Sequence, residues 1–324
     1  MDACKCCGAP TRPFGQVDAA RCCEDRGGAP VFAATGRLIT YRRCVACGFV
    51  GTGDFDHLSD AELAAEIYNA DYIRADPAFA DSRPAYFARV VADWLPDVGR
   101  VGEALDYGGG QGAFAAAMQE RGHRFANWDP HFHAAPRPTG RFGLVTAFEV
   151  VEHSRDPVGT FRDAAACLQP DGVLVFTTLL VPPEAGPEWW YVAPRNGHVS
   201  LHTAASLRAC AARCGLRLLS VSEGLHLFLP PHLSPLARHM VHAKAAEALY
   251  NASLRGPAEL WHTAREVARA GRLRDAANPR HAARALLRGN AEGTPRPDWR
   301  GLIARHAAGA RRVPARQAAP AARQ

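Results

Sequence analysis

From residue 101 to about residue 229 the chain alternates short apolar runs with stretches whose apolar positions recur every three to four residues. The apolar runs predict strands at 103–106, 124–128, 144–148, 173–180, 216–221 and 225–229. The intervening periodicity predicts helices over 113–121, 156–168 and 204–214, the last capped by Thr203 and closed by Gly215. Strands alternating with helices make a doubly wound α/β sheet, mostly parallel, with right-handed crossovers. The last two strands are joined around Glu223-Gly224, which reads as a hairpin and puts one antiparallel edge on the sheet.

Flanking segments follow other patterns. Ser59-Asp60-Ala61-Glu62 forms a capping box that starts a helix with Leu63, Ile67 and Tyr68 on one face, ending before Pro77. A second helix, about 84–95, presents Tyr86, Phe87, Val90, Val91 and Trp94, and Pro96 stops it. Residues 1–55 are rich in Cys, Gly and Arg, with strand-like runs at Val31-Phe32-Ala33 and Leu38-Ile39-Thr40-Tyr41. After Pro230-Pro231 the chain becomes Ala/Arg-rich helical sequence, about 236–251 and 257–270, then Gly/Pro/Arg-rich. Its last 20 or so residues hold too little apolar content to order themselves.

Composition bounds the rest. With 324 residues, 48% apolar and 22% charged, the chain suffices for about two domains with a sizeable core, which excludes wholesale disorder. No apolar run approaches the ~18 residues of a membrane-spanning helix, and the first residues carry no secretory pattern, so a cytoplasmic protein is expected. Net charge is +6 but uneven: residues 236–324 hold 17 basic and 6 acidic groups, while residues 1–235 balance at −5. The basic residues are nearly all Arg, set among Ala, so the tail reads as compositional bias and no nucleic-acid partner is expected.

Seven of the ten cysteines fall in the first 47 residues. Cys4-x-x-Cys7 and Cys44-x-x-Cys47 are two knuckles of the kind that hold tetrahedral Zn²⁺ through four thiolates. Such a closed site leaves no open coordination position, so its role is structural. The 36 residues between the knuckles exceed the usual ribbon spacing, and Cys6, Cys22 and Cys23 are alternative ligands.

The segment with most chemical content is Asp106-Tyr107-Gly108-Gly109-Gly110-Gln111-Gly112-Ala113-Phe114. A strand runs into a glycine-rich turn from which a helix departs, and such turns sit where open α/β sheets bind ligands. Gly108-x-Gly110-x-x-Ala113 also fits a dinucleotide fingerprint, and Asp129 at the end of the second strand suits a ribose diol in either case. Asp106 tilts the choice, because a carboxylate there suits a cationic ligand better than a pyrophosphate.

Asp106-x-Gly108-x-Gly110-x-Gly112 resembles motif I of the class I S-adenosylmethionine (SAM)-dependent methyltransferases. Phe142-Gly143-Leu144-Val145-Thr146-Ala147-Phe148-Glu149-Val150-Val151-Glu152-His153 is similar to the fourth strand of that family's ubiquinone-methyltransferase-like branch. Leu168-Gln169-Pro170-Asp171-Gly172-Val173-Leu174 resembles the turn before its fifth strand, and Gly197-His198-Val199-Ser200-Leu201-His202-Thr203 the segment entering the next helix. The resemblance implies a Rossmann-like fold in which Asp106, Gly108, Gly109, Gly110, Gln111 and Gly112 cradle the amino-acid part of SAM. It likewise implies that Asp129 and Pro130 meet the ribose, and that Phe148 and Glu149 line the cofactor pocket. Two departures stand out: the usual Asp of the fourth strand is Gly143, and only 12 residues separate Asp129 from Phe142, so the third strand and its helix are shortened or missing.

Methyl transfer from a sulfonium asks the protein chiefly for alignment and desolvation, plus a base where the acceptor must lose a proton. His198 and His153 are the candidates, with Tyr191 and His202 behind them; Trp189, Trp190 and Tyr191 could wall an acceptor pocket. His153 is also readable as a structural cap. The zinc knuckles, with the Tyr-rich Ile67-Tyr68-Asn69-Ala70-Asp71-Tyr72, resemble methyltransferases bearing an N-terminal zinc module, some of which act on sugars.

The expected organisation is a zinc-ribbon-like module (1–55), a helical linker or lid (56–98), a methyltransferase domain (99–232) and a basic helical tail (233–324). The expected activity is SAM-dependent methyl transfer to a small-molecule or sugar-type acceptor. The alternatives are an RNA or protein methyltransferase gripped by zinc module and tail, a catalytically silent SAM-binding scaffold, and an NAD-dependent dehydrogenase. Neither the acceptor atom nor the oligomeric state follows from the sequence.

Overall fold

A computed structural model describes residues 2–95, 101–130 and 136–271. Pro96 and the tail beyond residue 271, including its end expected to lack order, lie outside the described residues.

The N-terminal strands β1 (Thr11–Asp18), β2 (Leu38–Cys44) and β3 (Val50–Thr52) pair antiparallel in that order. The run at 31–33, expected to be a strand, is bent chain instead: Asp25 takes the Val31 N–H at 2.9 Å, and the guanidiniums of Arg74 and Arg195 cover the Phe32 ring. β2 pairs with β1, whose Pro13 and Gly15 hid it from a pattern reading. Their presence fits an edge strand, and the register slips between them. Three helices follow, α1 (Asp60–Ile67), α2 (Tyr72–Ala75) and α3 (Ser82–Ala92). The Ser59/Glu62 capping box that opens α1 forms as expected, with Glu62 Oε2 taking the Ser59 N–H at 2.8 Å.

The main sheet contains β4 (Glu103–Tyr107), β5 (Arg124–Trp128), β6 (Phe142–Ala147) and β7 (Leu168–Thr177). The helix α4 (Ala113–Glu120) connects β4 to β5, and α5 (Pro157–Ala166) connects β6 to β7. The short β8 (Ser200–Leu201) and α6 (Ala204–Arg213) lead to β9 (Arg217–Ser220) and β10 (Leu225–Leu229). The spatial order is β5-β4-β6-β7-β10-β9; the first four are parallel, and β10 runs antiparallel to both its neighbours. The expected hairpin therefore exists, with its second strand inserted against β7 and its first on the sheet edge. Among the described residues no strand lies between Trp128 and Phe142, as the short spacing there implied.

Both faces of the sheet are covered, which is why β4, β6 and β7 read as continuous apolar runs. On one face α3, α4 and two C-terminal helices, α7 (Pro235–Arg255) and α8 (Pro257–Arg269), bury Val91, Phe114, Met118, Met240, Leu249 and Val267 against Leu144, Val175 and Leu227. On the other, α5 and α6 bury Phe161 and Leu207 against Leu105, Leu174 and Phe228. Each such side chain contributes on the order of 1.5–3 kcal/mol when fully buried. No described helix is long and apolar enough to cross a membrane.

The N-terminal strands join this body through β8, which pairs antiparallel with β3 (Val50 opposite Leu201, Gly51 opposite Ser200). Three hydrogen bonds reinforce the seam: Tyr41 O–H to the His198 carbonyl (2.7 Å), Cys23 N–H to Asn196 Oδ1 (2.8 Å) and Thr203 O–H to the Cys47 carbonyl (2.5 Å).

Candidate functional site

β4 ends at Tyr107 and its backbone turns through Gly108, Gly110 and Gly112, all at positive φ. The loop is held from the neighbouring strand. Gly108 N–H donates to the Trp128 carbonyl (2.8 Å), Gly110 N–H to Asp129 Oδ2 (2.9 Å), and Asn127 Nδ2 to the Gly110 carbonyl (3.1 Å). A Cβ at Gly109 would lie 2.1 Å from Asp106 Oδ2, and one at Gly108 2.7 Å from the Val150 side chain, so both positions demand glycine. At Gly110 the same test meets only open space, because that position faces a cleft.

The cleft has a volume of about 260 Å³. Asp106, Gly108, Gly109, Gly110, Gln111, Asp129, Pro130, Phe148 and Glu149 all line it. Gly112 does not; it caps α4 in a left-handed conformation, 3.1 Å from Asn127 for a built Cβ. Asp106 is 2% exposed and accepts the Thr146 hydroxyl at 2.8 Å. Burial pushes its carboxyl up to about 7; the Thr146 hydrogen bond opposes the rise and the Asp129 charge adds to it. Glu149 has φ 56°, the one positive value at a non-glycine among the described residues. Such a conformation costs about 1–3 kcal/mol and concentrates at functional sites. Thr177 fixes it, accepting from Glu149 N–H and donating to Oε1, both at 2.9 Å.

The opposite wall comes from α1 to α3, within the segment expected to be a helical linker or lid, though none of its residues was named for the site. Tyr68, Tyr72, Phe79 and Phe87 supply aromatic surface, and Arg83 forks onto Asp76 (2.7 and 2.6 Å), 3.9 Å from Glu149. The spacing of four between Phe79, Arg83 and Phe87 was the available signal. Of the proposed bases, His153 lines the cleft, while His198 and Tyr191 stand behind it. The His153 and His198 rings are 5.0 Å apart, and His198 Nδ1–H donates to the Tyr191 carbonyl at 2.9 Å. Burial lowers His153 to about 4 and His198 well below its ordinary value, so both imidazoles are neutral at pH 7. Glu152 has no exposed surface; Tyr191 O–H donates to its Oε1, and its Oε2 has no hydrogen-bond partner. Burial, then the Glu149 charge, raises Glu152 well above the ordinary carboxylate range. His202 lies apart, fully buried beside Ser206. Trp189 and Trp190 pack with Tyr191 and do not line the cleft.

Away from the cleft, Cys4, Cys7, Cys44 and Cys47 bring their sulfurs within 4.8 Å of one another, with Cys4–Cys47 at 3.6 Å and Cys7–Cys44 at 3.5 Å. Four thiolates around one Zn²⁺ at ~2.3 Å would be ~3.8 Å apart, so the donor set fits that ion. Cys22 bonds Asp25 and Cys23 faces His198, so neither belongs to this group.

Residues 79–221 match a family model described as a methyltransferase domain. Apart from the strand absent between Trp128 and Phe142 among the described residues, the strand order and the glycine loop after β4 match the class I methyltransferase fold. Comparison with curated proteins gives no match. Among solved structures, the chain is similar to the mitomycin 7-O-methyltransferase MmcR (16% identity, 45% of this chain and 53% of that one, TM-score 0.38). It is also similar to an O-methyltransferase family protein from Burkholderia thailandensis (15%, 48% and 60%, TM-score 0.38) and to Streptomyces venezuelae DesVI (16%, 54% and 100%, TM-score 0.36). The chain covers little more than half the length of the first of these.

Proposed function

We propose that the chain binds SAM in the cleft and transfers its methyl group to a small-molecule or sugar-type acceptor. The observation that carries this reading is the juxtaposition, around one cleft, of the Gly108–Gly112 turn, the acidic pair Asp106 and Asp129, and His153. The matched methyltransferase domain spans all of these residues.

SAM, when bound, supplies an already activated methyl group on a cationic sulfur. The protein's own residues do the remaining work. Gly108 to Gly110 offer backbone without side chains, and Asp129 both holds the loop through Gly110 and offers its carboxylate to ribose hydroxyls. Asp106 places a carboxyl near a cationic ligand, whose charge favours the ionised form. The aromatic wall of Tyr68, Tyr72, Phe79 and Phe87 excludes water, which strengthens the electrostatics inside. His153, neutral and facing the cleft, accepts a proton from an acceptor hydroxyl or acidic C–H. His198 and the Glu152–Tyr191 pair hold the polar floor behind it.

The knuckles Cys4, Cys7, Cys44 and Cys47 bind a structural Zn²⁺ in this reading. Their site sits on the strands that β8 joins to the body, so the ion stabilises the segment carrying His198 rather than taking part in chemistry. The test of activity is transfer of radiolabel from [methyl-³H]SAM to small molecules in a cell extract. Label transferred by the wild type and absent with Gly110→Arg supports the reading. Label that persists in the variant, or appears only in RNA or protein, contradicts it.

A further inference from the structure

A second group of metal-binding atoms lies next to the knuckles. Cys6 Sγ, Cys210 Sγ and a ring nitrogen of His202 are within 4.8 Å of one another, and all three residues are fully buried. They come from three places: the N-terminal loop, the residue after β8, and α6. The rings of Phe49 and Phe161 flank His202, with centroids at 5.3 and 6.0 Å.

Ser206 Oγ lies 3.0 Å from the Thr203 carbonyl and 3.3 Å from His202 Nδ1. With the hydroxyl donating to that carbonyl, it accepts from Nδ1–H and leaves Nε2 with a lone pair. Nε2 is buried and has no hydrogen-bond partner. Buried polar atoms are nearly always satisfied, so this one marks a missing partner. An imidazole tethered through Nδ1–H with Nε2 free is how histidine is held when it ligates a metal. Two thiols and a neutral imidazole form a soft donor set of the kind Zn²⁺ takes. Cys6 faces Cys210 on one side and Cys4 on the other.

We propose that Cys6, Cys210 and His202 Nε2 bind a second Zn²⁺, with the Cys4 thiolate shared between it and the ion of the four-cysteine site. The proposal rests on zinc binding at that first site. Binding releases the thiol protons of Cys6 and Cys210 to solvent, and the ion ties the N-terminal loop directly to α6.

Zinc per chain, measured by plasma mass spectrometry on the full chain purified without chelator, tests it. Two zinc ions are expected in the wild type, and one in His202→Phe and in Cys210→Val, with far-ultraviolet circular dichroism unchanged. One ion in the wild type, or two retained in both variants, overturns the proposal while leaving the first site intact. No zinc overturns both. Should a variant fail to fold, Co²⁺ titration of the metal-free wild type decides. Thiolate-to-cobalt absorption rising through two equivalents supports the second site, and saturation at one refutes it.

Discussion

Tyr191 is bonded from both ends: its hydroxyl donates to the buried Glu152 carboxyl, and its carbonyl accepts from His198 Nδ1–H. One residue thus sets the position of an acid and of an imidazole behind the cleft. Tyr191→Phe keeps the carbonyl contact and removes only the hydroxyl, leaving Glu152 with neither oxygen paired. A loss of about 1–3 kcal/mol in stability is expected from the unpaired buried group. Turnover should fall by roughly 10²-fold, because Glu152 then no longer holds the polar floor behind His153. Affinity for S-adenosylhomocysteine, which occupies the other end of the cleft in this account, should stay within about twofold. Denaturant unfolding, steady-state kinetics and calorimetry separate the three readouts.

Asp129 shapes the glycine loop through its bond to Gly110 N–H, and in the proposed function it also meets the cofactor. Asp129→Ala removes that charge-assisted bond together with the proposed ribose contact. At about 1.5–3 kcal/mol, S-adenosylhomocysteine should bind roughly ten- to a hundredfold more weakly. Asp129→Asn, which keeps an acceptor oxygen, should fall between. Equal affinity in all three proteins would remove Asp129 from the site.

Asp106 gives the site a pH dependence of definite sign. Burial first, with the Asp129 charge adding and the Thr146 hydroxyl opposing, holds its carboxyl at about 7, above the ordinary 3.8. A folded-state value above the unfolded one means that its contribution to stability is complete below about pH 4. That contribution is lost as pH rises through about 7. Asp106→Asn, which cannot ionise, should therefore raise the melting temperature of the ligand-free protein at pH 8 and leave it little changed at pH 4. The reverse holds for a cationic ligand: SAM should bind the wild type more tightly at pH 8 than at pH 6, by up to about tenfold, and Asp106→Asn without that trend. Scanning calorimetry and titration at the two pH values check both signs.

Removing a knuckle ligand should be felt beyond the knuckle. Cys44→Ser takes away one of four thiolates, and the β2–β3–β8 pairing carries the disturbance to the segment with His198. Lower zinc content, a melting temperature reduced by several degrees and weaker turnover are expected together. Unchanged zinc content would exclude Cys44 as a ligand.

The alternation of apolar runs and helical periods was enough to place the main sheet, because most of β4, β6 and β7 is buried on both faces and α4 to α6 each bury an apolar face. β1 escaped because Pro13 and Gly15 interrupt it, and its identity as a strand depends on pairing with β2. The glycine turn was legible as local backbone chemistry. The aromatic wall and Arg83 were not, since their role comes from where α1 to α3 fold over the loop. Glu152 stood within a recognised segment, yet only its burial and the bond from Tyr191, 39 residues away, single it out.

The claim on which everything else depends is that the open space beside Gly110 holds the sulfonium donor. Titration calorimetry of the wild type and Gly110→Arg with SAM and with S-adenosylhomocysteine tests it directly. Micromolar binding of both to the wild type, and no measurable heat with the variant, is the expected result. No heat from the wild type, or equal affinity in the variant, would contradict it.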